Sequence, residues 1–248
     1  MTFVDLFSDG ARQYAAAWPR YPEALFDFIA ARAPSRRRAW DCGTGNGQAA
    51  VSLAGRFDAV AATDPSAEQI GIAVPRPNVE YSVQPAEQTA FPAACFDAIC
   101  VAQALHWLRL EAFFREVRRV AVPGALFAAW GYSWFSVSPE FDAVFDRSIL
   151  QPLQRHWEPN NRLLWNAYAE IEFPFDRLAT PGFTMTMDWT LAQLLAYVGT
   201  WSALRRCLAS EGPAFLQVAA SELNACWGEA GCARRVSMPL HVVAGHLA

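Results

Sequence analysis

The most informative part of this sequence is Arg38-Ala-Trp-Asp-Cys-Gly-Thr-Gly-Asn-Gly47. Ala39–Cys42 predict a short buried strand, and Gln48–Ala54 predict a helix with small residues on its packing face. Three glycines at alternate positions in the turn between them let the backbone approach a ligand closely and adopt angles that a Cβ would forbid. The stretch therefore predicts a nucleotide-type pocket at the carboxyl end of a strand in a doubly wound sheet.

The spacing of these glycines separates families of nucleotide-binding proteins. The dinucleotide-binding pattern G-x-G-x-x-G and the P-loop pattern Gly-Lys-Ser/Thr are both absent. The chain has Asp-x-Gly-x-Gly-x-Gly instead, which resembles motif I of the class I S-adenosylmethionine (SAM) methyltransferases. A tight turn is the alternative interpretation, but the strand before the glycines and the helix after them favour a cofactor loop. The resemblance implies SAM as the cofactor, bound by Asp41, Gly43, Thr44, Gly45, Asn46 and Gly47.

The composition describes a globular protein with a large apolar core. Of the 248 residues, 53% are hydrophobic and 18% are charged, a balance that disfavours disorder. The net charge of −4 gives no electrostatic footprint for nucleic acid or for an acidic membrane surface. All 20 basic residues are arginine, so no lysine can act as a general base or form a Schiff base.

The cysteines and the N-terminus bear on metal binding and on compartment. The six cysteines are scattered, without a Cys-x-x-Cys pair or zinc-ligand spacing, so we expect no metal, no structural disulfide and a reducing, cytoplasmic setting. The first residues lack the basic and apolar regions of a signal peptide. The sequence also lacks the uncharged apolar run of about 18 residues that predicts a membrane span.

A second acidic residue follows the predicted second strand. Ala59–Thr63 lead to Asp64, and a carboxylate at that strand end can accept both ribose hydroxyls of a bound nucleoside. The alternative is a structural role, because Asp64-Pro65-Ser66 is also a good helix start. Ser66 is the better cap, which leaves Asp64 for the ribose and Pro65 beside it as a cofactor contact.

Apolar runs predict the remaining core strands at Val79–Val83, Phe96–Val101 and Ala125–Trp130. The nearly continuous run of the fourth strand is typical of a parallel strand buried on both faces. Helical spacing from Leu110 to Val120 predicts a helix that ends before Pro123-Gly124. Strands alternating with helices predict an α/β fold, and we expect a Rossmann-like, doubly wound, mostly parallel seven-stranded sheet with helices on both faces.

Two segments resemble the trans-aconitate-type, small-molecule branch of the class I methyltransferases (methyltransferase type 11-like). Residues 14–22 resemble its Tyr-x-x-x-Arg-Pro-x-Tyr-Pro entry, which caps the SAM site in that branch and implies roles for Tyr14 and Tyr21. Trp18 stands where the branch has arginine, and Arg20 is the candidate replacement for that charge. Pro85-Ala-Glu87 resembles its Pro-Ala-Glu segment, which implies that Ala86 and Glu87 lie by the adenine edge; a solvated loop charge is the alternative for Glu87.

The loop after the fourth strand is Ala102-Gln-Ala-Leu-His-Trp107 and resembles the Ala-x-His-Trp signature of the same branch. The resemblance implies that Ala102, Gln103 and Ala104 pass beneath the methionine part of SAM. It also makes His106 the candidate catalytic residue, with a structural hydrogen bond as the alternative. Trp107 is expected to form a wall of the acceptor pocket.

The second half of the chain departs from the regular alternation. We expect a single methyltransferase domain over 1–248, with an N-terminal cap at 1–35, a SAM-binding core at 36–131 and an aromatic helical lid at 132–180. C-terminal helices and closing strands are expected over 181–248, where Asp188–Ser202 resembles a signature of the same branch.

The aromatic residues suggest what is methylated. Seven of the ten tryptophans lie at or after position 130; most should pack in the insert and a few should line the pocket. Candidate substrate-binding residues are Tyr14, Trp18, Tyr21, His106, Trp107, Trp130, Tyr132 and Trp134. Aromatic walls suit a flat, weakly charged acceptor, whereas a tricarboxylate would need several converging arginines.

These observations predict in-line N- or O-methylation of a small planar, heteroaromatic metabolite in secondary metabolism, of the azapteridine-toxin kind. The alternatives are carboxylate O-methylation, as in trans-aconitate methylation, and SAM binding without methyl transfer. We expect a small-molecule acceptor as partner, no nucleic acid, no membrane, and a monomer or weak homodimer.

Overall fold

The computed structural model describes residues 19–229 and 231–248. Its sheet contains the strands β1 (Arg38–Cys42), β2 (Ala59–Asp64), β3 (Val79–Val83), β4 (Phe96–Ala102), β5 (Ala121–Gly131), β6 (Phe183–Trp189) and β7 (Arg234–His246). Their order is β3-β2-β1-β4-β5-β7-β6, with β1 to β5 paired in parallel and β7 antiparallel to β5. The predicted Rossmann-like, mostly parallel seven-stranded sheet is confirmed.

This order fixes where a ligand can bind. The chain runs outward from β1 to β2 and β3 on one side, and then crosses back to β4 on the other side of β1. The loops that follow β1 and β4 therefore diverge, and they leave a crevice at the carboxyl ends of these two strands. The glycine loop and the loop containing His106 are those two connections.

Helices connect the strands and form most of the second half of the chain. They are α1 (Glu23–Arg32), α2 (Gln48–Ala54), α3 (Ala67–Gly71), α4 (Leu110–Val120), α5 (Pro139–Phe145), α6 (Gln151–Leu153), α7 (Asn161–Trp165), α8 (Leu191–Gly199), α9 (Ser202–Glu211) and α10 (Ala214–Trp227). Shorter turns are the 3₁₀ segments Leu105–Trp107 and Gln154–His156 and the π segment Asp146–Leu150.

The side chains at several helix starts explain where those helices begin. Ser66 accepts a hydrogen bond from the Gln69 N–H and caps α3, as expected. Thr190 and Gln193 form a capping box at the start of α8, in which each side chain bonds the backbone of the other residue.

The start of β5 differs from the predicted one. β5 begins at Ala121, not Ala125, and so runs through Pro123-Gly124. An irregularity in the register beside Phe96 accommodates this start, and the Gly124 N–H bonds to the Leu247 carbonyl. The two helices that follow Trp201, α9 and α10, are separated at Gly212, whose φ of 74° ends the first of them.

The described chain forms two compact units. The core unit comprises Arg20–Ser133, Arg162–Thr184 and Pro239–Ala248, and the helical unit includes Trp134–Asn161 and Met185–Met238. Trp40 is fully buried in the core unit, where it stacks on Phe96 and donates to the Thr63 hydroxyl over 2.9 Å. The single domain expected over 1–248 and its subdivisions stay predictions.

The helical unit is organised around Trp201, which is 8% exposed. Its ring lies 5.6 Å from Trp157, 5.9 Å from Trp134 and 6.0 Å from Phe145 by ring centroids. The aromatic residues of this unit therefore pack against one another. Within 19–229 and 231–248, no helix has the length and apolar character needed to cross a membrane.

Candidate functional site

The glycine loop joins β1 to α2 in a conformation that requires residues without a Cβ. Gly43 has φ 68°, and a Cβ there would lie 2.6 Å from the Ala104 Cβ. Gly47 has φ 88°, and a Cβ there would lie 2.4 Å from the Tyr81 hydroxyl oxygen. The loop is anchored on β2 by the bond from the Thr44 N–H to the Thr63 carbonyl, at 2.9 Å. The two crevice loops consequently touch at Gly43 and Ala104.

Asp64 stands at the end of β2, as expected, and contacts the same loop. Its Oδ2 accepts from the Gly45 N–H and its Oδ1 from the Ser66 N–H, both over 2.9 Å. Each carboxylate oxygen keeps a further lone pair, so these bonds leave capacity for ribose hydroxyls. Pro65 is exposed beside it, and Asn46 is exposed on the loop itself.

Asp41 is the acidic residue that begins the motif, and it is fully buried. Burial raises its pKa from 3.8 to about 6, against the opposing effect of a 2.6 Å hydrogen bond from the Thr44 hydroxyl to Oδ2. The other oxygen, Oδ1, makes no hydrogen bond of normal geometry, although the Ala50 backbone N–H lowers the pKa of this carboxyl. A buried carboxylate left with an unpaired oxygen is destabilising unless a ligand group pairs with it.

Ala86 and Glu87 lie after β3. Ala86 is buried, and the Glu87 carboxylate accepts from the Arg109 N–H at 3.0 Å and pairs with its guanidinium at 3.4 Å. Glu87 therefore supports the start of α4 in this structure. Its contact with adenine stays a prediction.

The loop after β4 brings Ala102, Gln103 and Ala104 to the crevice, where all three are half-buried. Gln103 has φ 54°, an uncommon conformation for a residue other than glycine. Its carboxamide bonds both backbone groups of Tyr132, donating to the carbonyl at 3.1 Å and accepting from the N–H at 3.2 Å. Gln103 thus fastens the end of β4 to the end of β5.

His106 follows in the 3₁₀ turn and is 4% exposed. Burial lowers its pKa to about 4, so the imidazole is neutral at neutral pH. Its Nδ1 has no hydrogen-bond partner. The alternative role, a structural hydrogen bond, is therefore not made through this nitrogen. The Trp107 ring lies 4.7 Å from the imidazole, and Trp107 is 50% exposed.

Aromatic residues surround the end of β5. Trp130 is fully buried and packs edge-on against Tyr21, with ring centroids 5.6 Å apart. Burial raises the pKa of the Tyr21 phenol well above 10, and Tyr132, Asp41 and Tyr168 raise it further. The Trp130 Nε1–H lowers the same pKa, but it makes no hydrogen bond of normal geometry.

Four further predicted site residues have no described contact with the groups above. Tyr14 and Trp18 fall outside the described residues. Arg20 is described and exposed. Trp134 packs edge-on against Trp157 within the helical unit. Their roles in binding stay predictions.

Two residues that sequence analysis missed join this set. Ser133 Oγ and Tyr168 Oη are buried without hydrogen-bond partners, like Asp41 Oδ1, His106 Nδ1 and Trp130 Nε1. All five belong to the core unit. Tyr168 lies in a segment without periodicity, so no sequence signal placed it near β5.

Three potential metal ligands meet in the helical unit, where the sequence predicted none. His156, Cys207 and Glu211 each offer a ligand atom within 4.8 Å of the others. The Arg155 guanidinium already bonds both oxygens of the Glu211 carboxylate. This carboxylate therefore has a cationic partner from the chain itself.

Comparison with known proteins settles the family. The methyltransferase domain model matches residues 40–129. A solved structure of a candidate type II methyltransferase from Anaeromyxobacter dehalogenans is 42% identical, with 92% of this chain and 97% of that chain covered, at a TM-score of 0.87. This chain belongs to the SAM-dependent methyltransferases. Its sheet order and glycine loop are those of the class I enzymes.

More distant relatives of this methyltransferase support the same family. A candidate methyltransferase from Dictyostelium discoideum is 28% identical over 204 residues, which are 81% of this chain and 78% of that protein. A Mycobacterium tuberculosis protein described only as a methyltransferase is 28% identical over 196 residues, which are 73% and 78% of the two chains.

The site of the methyltransferase fits its cofactor. SAM carries sulfonium and ammonium charges, and the crevice offers the buried Asp41 carboxylate with an unpaired oxygen. The Ala104 Cβ occupies the space that a Cβ on Gly43 would need, so glycine at this position lets the two crevice loops pack closely together. The unpaired carboxylate oxygen suits a cationic ligand.

Proposed function

We propose that this methyltransferase holds SAM between the glycine loop and the ends of β2 and β4. Asp64 binds the ribose hydroxyls, and Asp41 faces the positive charge of the cofactor. Pro65, Ala86 and Glu87 lie along the adenosine, and Ala102, Gln103 and Ala104 lie along the methionine. This proposal is supported by the carboxylate oxygens of both aspartates, which can accept further hydrogen bonds, and by the contact between the two loops.

The proposed acceptor is a small, planar, weakly charged heteroaromatic molecule methylated at nitrogen or oxygen. The proposed acceptor pocket is lined by Trp107, Trp130, Tyr21 and Tyr132, and the faces of these rings suit a flat ligand ring. The unpartnered Trp130, Ser133 and Tyr168 groups are neutral donors, which suit carbonyl oxygens and ring nitrogens. They would leave the charges of a tricarboxylate uncompensated.

His106 is the proposed catalytic residue, and its unpartnered, buried Nδ1 is the observation that supports this function best. SAM, when bound, supplies a methyl group activated by its sulfonium. The chain aligns the acceptor, excludes water and provides the imidazole. An acceptor oxygen or amide-type ring nitrogen that still carries its proton when it is methylated becomes a strong acid, so even an imidazole with a pKa of about 4 can take that proton.

The wider assignment follows from the same resemblances. We place the enzyme in the trans-aconitate-type branch and in secondary metabolism, with residues 132–180 as a lid over the acceptor. The net charge of −4 supports a small-molecule partner over nucleic acid. A monomer or weak homodimer is the expected state.

An acceptor panel tests the proposal. Purified enzyme is incubated with labelled SAM and either flat heterocycles, aconitate or a fatty acid, and S-adenosylhomocysteine is measured. Turnover of flat heterocycles is expected. Esterification of aconitate or a fatty acid without turnover of heterocycles would instead identify a carboxylate O-methyltransferase.

His106→Ala tests the assigned residue. We expect turnover to fall by about 10²- to 10⁴-fold, the usual contribution of a positioned acid or base, with SAM affinity unchanged by calorimetry. His246→Ala, at an exposed histidine of β7, is the matched control and should keep wild-type turnover. Weakened SAM binding in His106→Ala would make this histidine a cofactor residue.

A further inference from the structure

Tyr168 carries a polar group that the protein leaves without a partner. The residue is 0% exposed, and its hydroxyl makes no hydrogen bond. Burying a hydroxyl without a bond is unfavourable, because water is lost and nothing replaces it. An evolved core usually removes such a group or satisfies it. A partner supplied by a ligand would account for its presence.

The backbone at Tyr168 is strained and firmly held. Ala167 and Tyr168 have φ of 51° and 57°, two consecutive left-handed residues that are not glycine. The Arg177 guanidinium donates to the Tyr168 carbonyl at 2.9 Å and lies 4.9 Å from the Phe173 ring centroid. The Tyr168 N–H bonds the Leu163 carbonyl at 2.8 Å. These contacts hold the phenol in one place.

That place is the end of β5. A Cβ on Gly131 would lie 3.0 Å from the Tyr168 hydroxyl and 2.4 Å from the Gln103 Oε1. Gly131 therefore leaves the space in which the phenol and the carboxamide approach the strand end. Gln103 is itself in a left-handed conformation, so strained residues converge at the carboxyl edge of β4 and β5.

We infer that the Tyr168 hydroxyl is a substrate-binding group that donates a hydrogen bond to a carbonyl oxygen or unprotonated ring nitrogen of the methyl acceptor. The inference rests on the proposed function for the class of acceptor. The acceptor is favoured over the adenosine of the cofactor because the hydroxyl lies at β5, whereas the glycine loop follows β1 and β4 separates the two strands. The SAM dissociation constant measured below distinguishes the acceptor from the methionine part, which is proposed to lie by Gln103.

The chemistry of the phenol fits a donor. Burial raises the pKa of Tyr168 well above its usual value of 10, so the group stays protonated and cannot act as a base. A site built around one buried donor discriminates against analogues that lack the matching acceptor atom, because the donor is then left unpaired. Tyr168 would thus determine which heterocycles are methylated.

Tyr168→Phe removes only the hydroxyl and tests this inference in two ways. Without acceptor, the unfolding midpoint should stay the same or rise, because an unpaired buried hydroxyl is lost. Tyr81→Phe is the control, because the Tyr81 hydroxyl already donates to the Val74 carbonyl over 2.9 Å and its loss should lower the midpoint. This measurement needs no identified acceptor.

The second measurement uses the best acceptor from the panel. We expect KM for that acceptor to rise at least tenfold in Tyr168→Phe, with the SAM dissociation constant within twofold of wild type. A lowered midpoint would identify a structural hydroxyl, weakened SAM binding a cofactor contact, and an unchanged KM no contact; each overturns the inference. A panel that yields only esterified acids would overturn the heterocycle assignment, while the midpoint still tests Tyr168.

Discussion

The core unit has several buried polar atoms without a partner, whereas the polar pairs of the helical unit involve exposed or half-buried side chains. In the core unit, Asp41, His106, Trp130, Ser133 and Tyr168 each keep a buried polar atom without a partner. In the helical unit, polar groups mostly pair within the unit: Glu211 with Arg155, Glu222 with Ser148 and Arg147, and Glu158 with Arg206. The Arg206 Nη2 is the exception among its described residues.

This difference distinguishes polar groups that are available to bind a ligand from polar groups that stabilise the fold. A unit that satisfies its own polar groups gains stability from packing and ion pairs, whereas one with unpaired groups gives up stability to keep binding capacity. Variants in the helical unit should therefore change unfolding, and variants at the unpaired groups should change binding. The following predictions test this contrast, from the largest expected change in unfolding or binding free energy to the smallest.

Trp201→Ala should give the largest change. Trp201 is buried and contacts several rings of the helical unit, and such truncations cost about 3–5 kcal/mol of unfolding free energy. Trp107→Ala is the matched control, because Trp107 is 50% exposed and its truncation should cost well under half as much. Denaturant titration measures both. Equal losses would contradict the assignment of Trp201 as the centre of this packing.

Asp41→Asn should change how stability depends on pH. Because the folded pKa of about 6 exceeds 3.8, the proton binds the folded state more tightly, and this contribution is present below pH 3.8 and lost as the pH rises through 6. The difference corresponds to about 3 kcal/mol. Without SAM, Asp41→Asn should therefore be the more stable protein at pH 8, by up to that amount.

Unfolding by denaturant at pH 4 and pH 8 measures the effect. Asp97→Asn is the control: this buried carboxylate already accepts from the Arg37 and Arg38 N–H groups, so its replacement should destabilise the protein. SAM should stabilise wild type more than Asp41→Asn at pH 8. Equal stabilisation of both proteins by SAM would remove Asp41 from the cofactor argument, and the same pH dependence in both would contradict the raised pKa.

Asp64→Ala should give the smallest of the three changes. We expect SAM affinity to fall by about 1–3 kcal/mol, the scale of hydrogen bonds to a charged group. Asp58→Ala, at an exposed carboxylate before β2, is the control and should bind SAM normally by calorimetry. Unchanged affinity in Asp64→Ala would limit Asp64 to holding the backbone of Gly45 and Ser66.

Sequence predicted the core best where local patterns carry the information. The bounds of α2 and β3 are as predicted, and Ser66 caps its helix, because periodicity and capping chemistry act over a few residues. The predicted start of β5 was wrong, because Ala121 pairs with Phe96 before the register shifts to the Ala98–Leu126 pair, so the strand continues across Pro123-Gly124 as an irregularity. SAM as cofactor was predictable because the Asp-x-Gly-x-Gly-x-Gly stretch, set between a strand and a helix, resembles motif I of the class I methyltransferases.

Tyr168 could not be found in this way. Its relation to Gly131 joins residues far apart in the chain, and it depends on two left-handed residues and the Arg177 contact. None of these produces a periodic pattern. The acceptor side of the site is therefore less visible in the sequence than the cofactor side, and the compartment stays a prediction.

The carboxylates of the crevice also affect the reactivity of Cys42. Burial raises the pKa of its thiol well above 9, and Asp41, Glu87 and Asp64 raise it further. Only a thiolate is a strong nucleophile, and Cys42 adjoins the loop proposed to hold an alkylating agent. Burial, together with the negative charges proposed to attract the sulfonium, thus keeps this sulfur protonated, and a protonated thiol is a poor methyl acceptor.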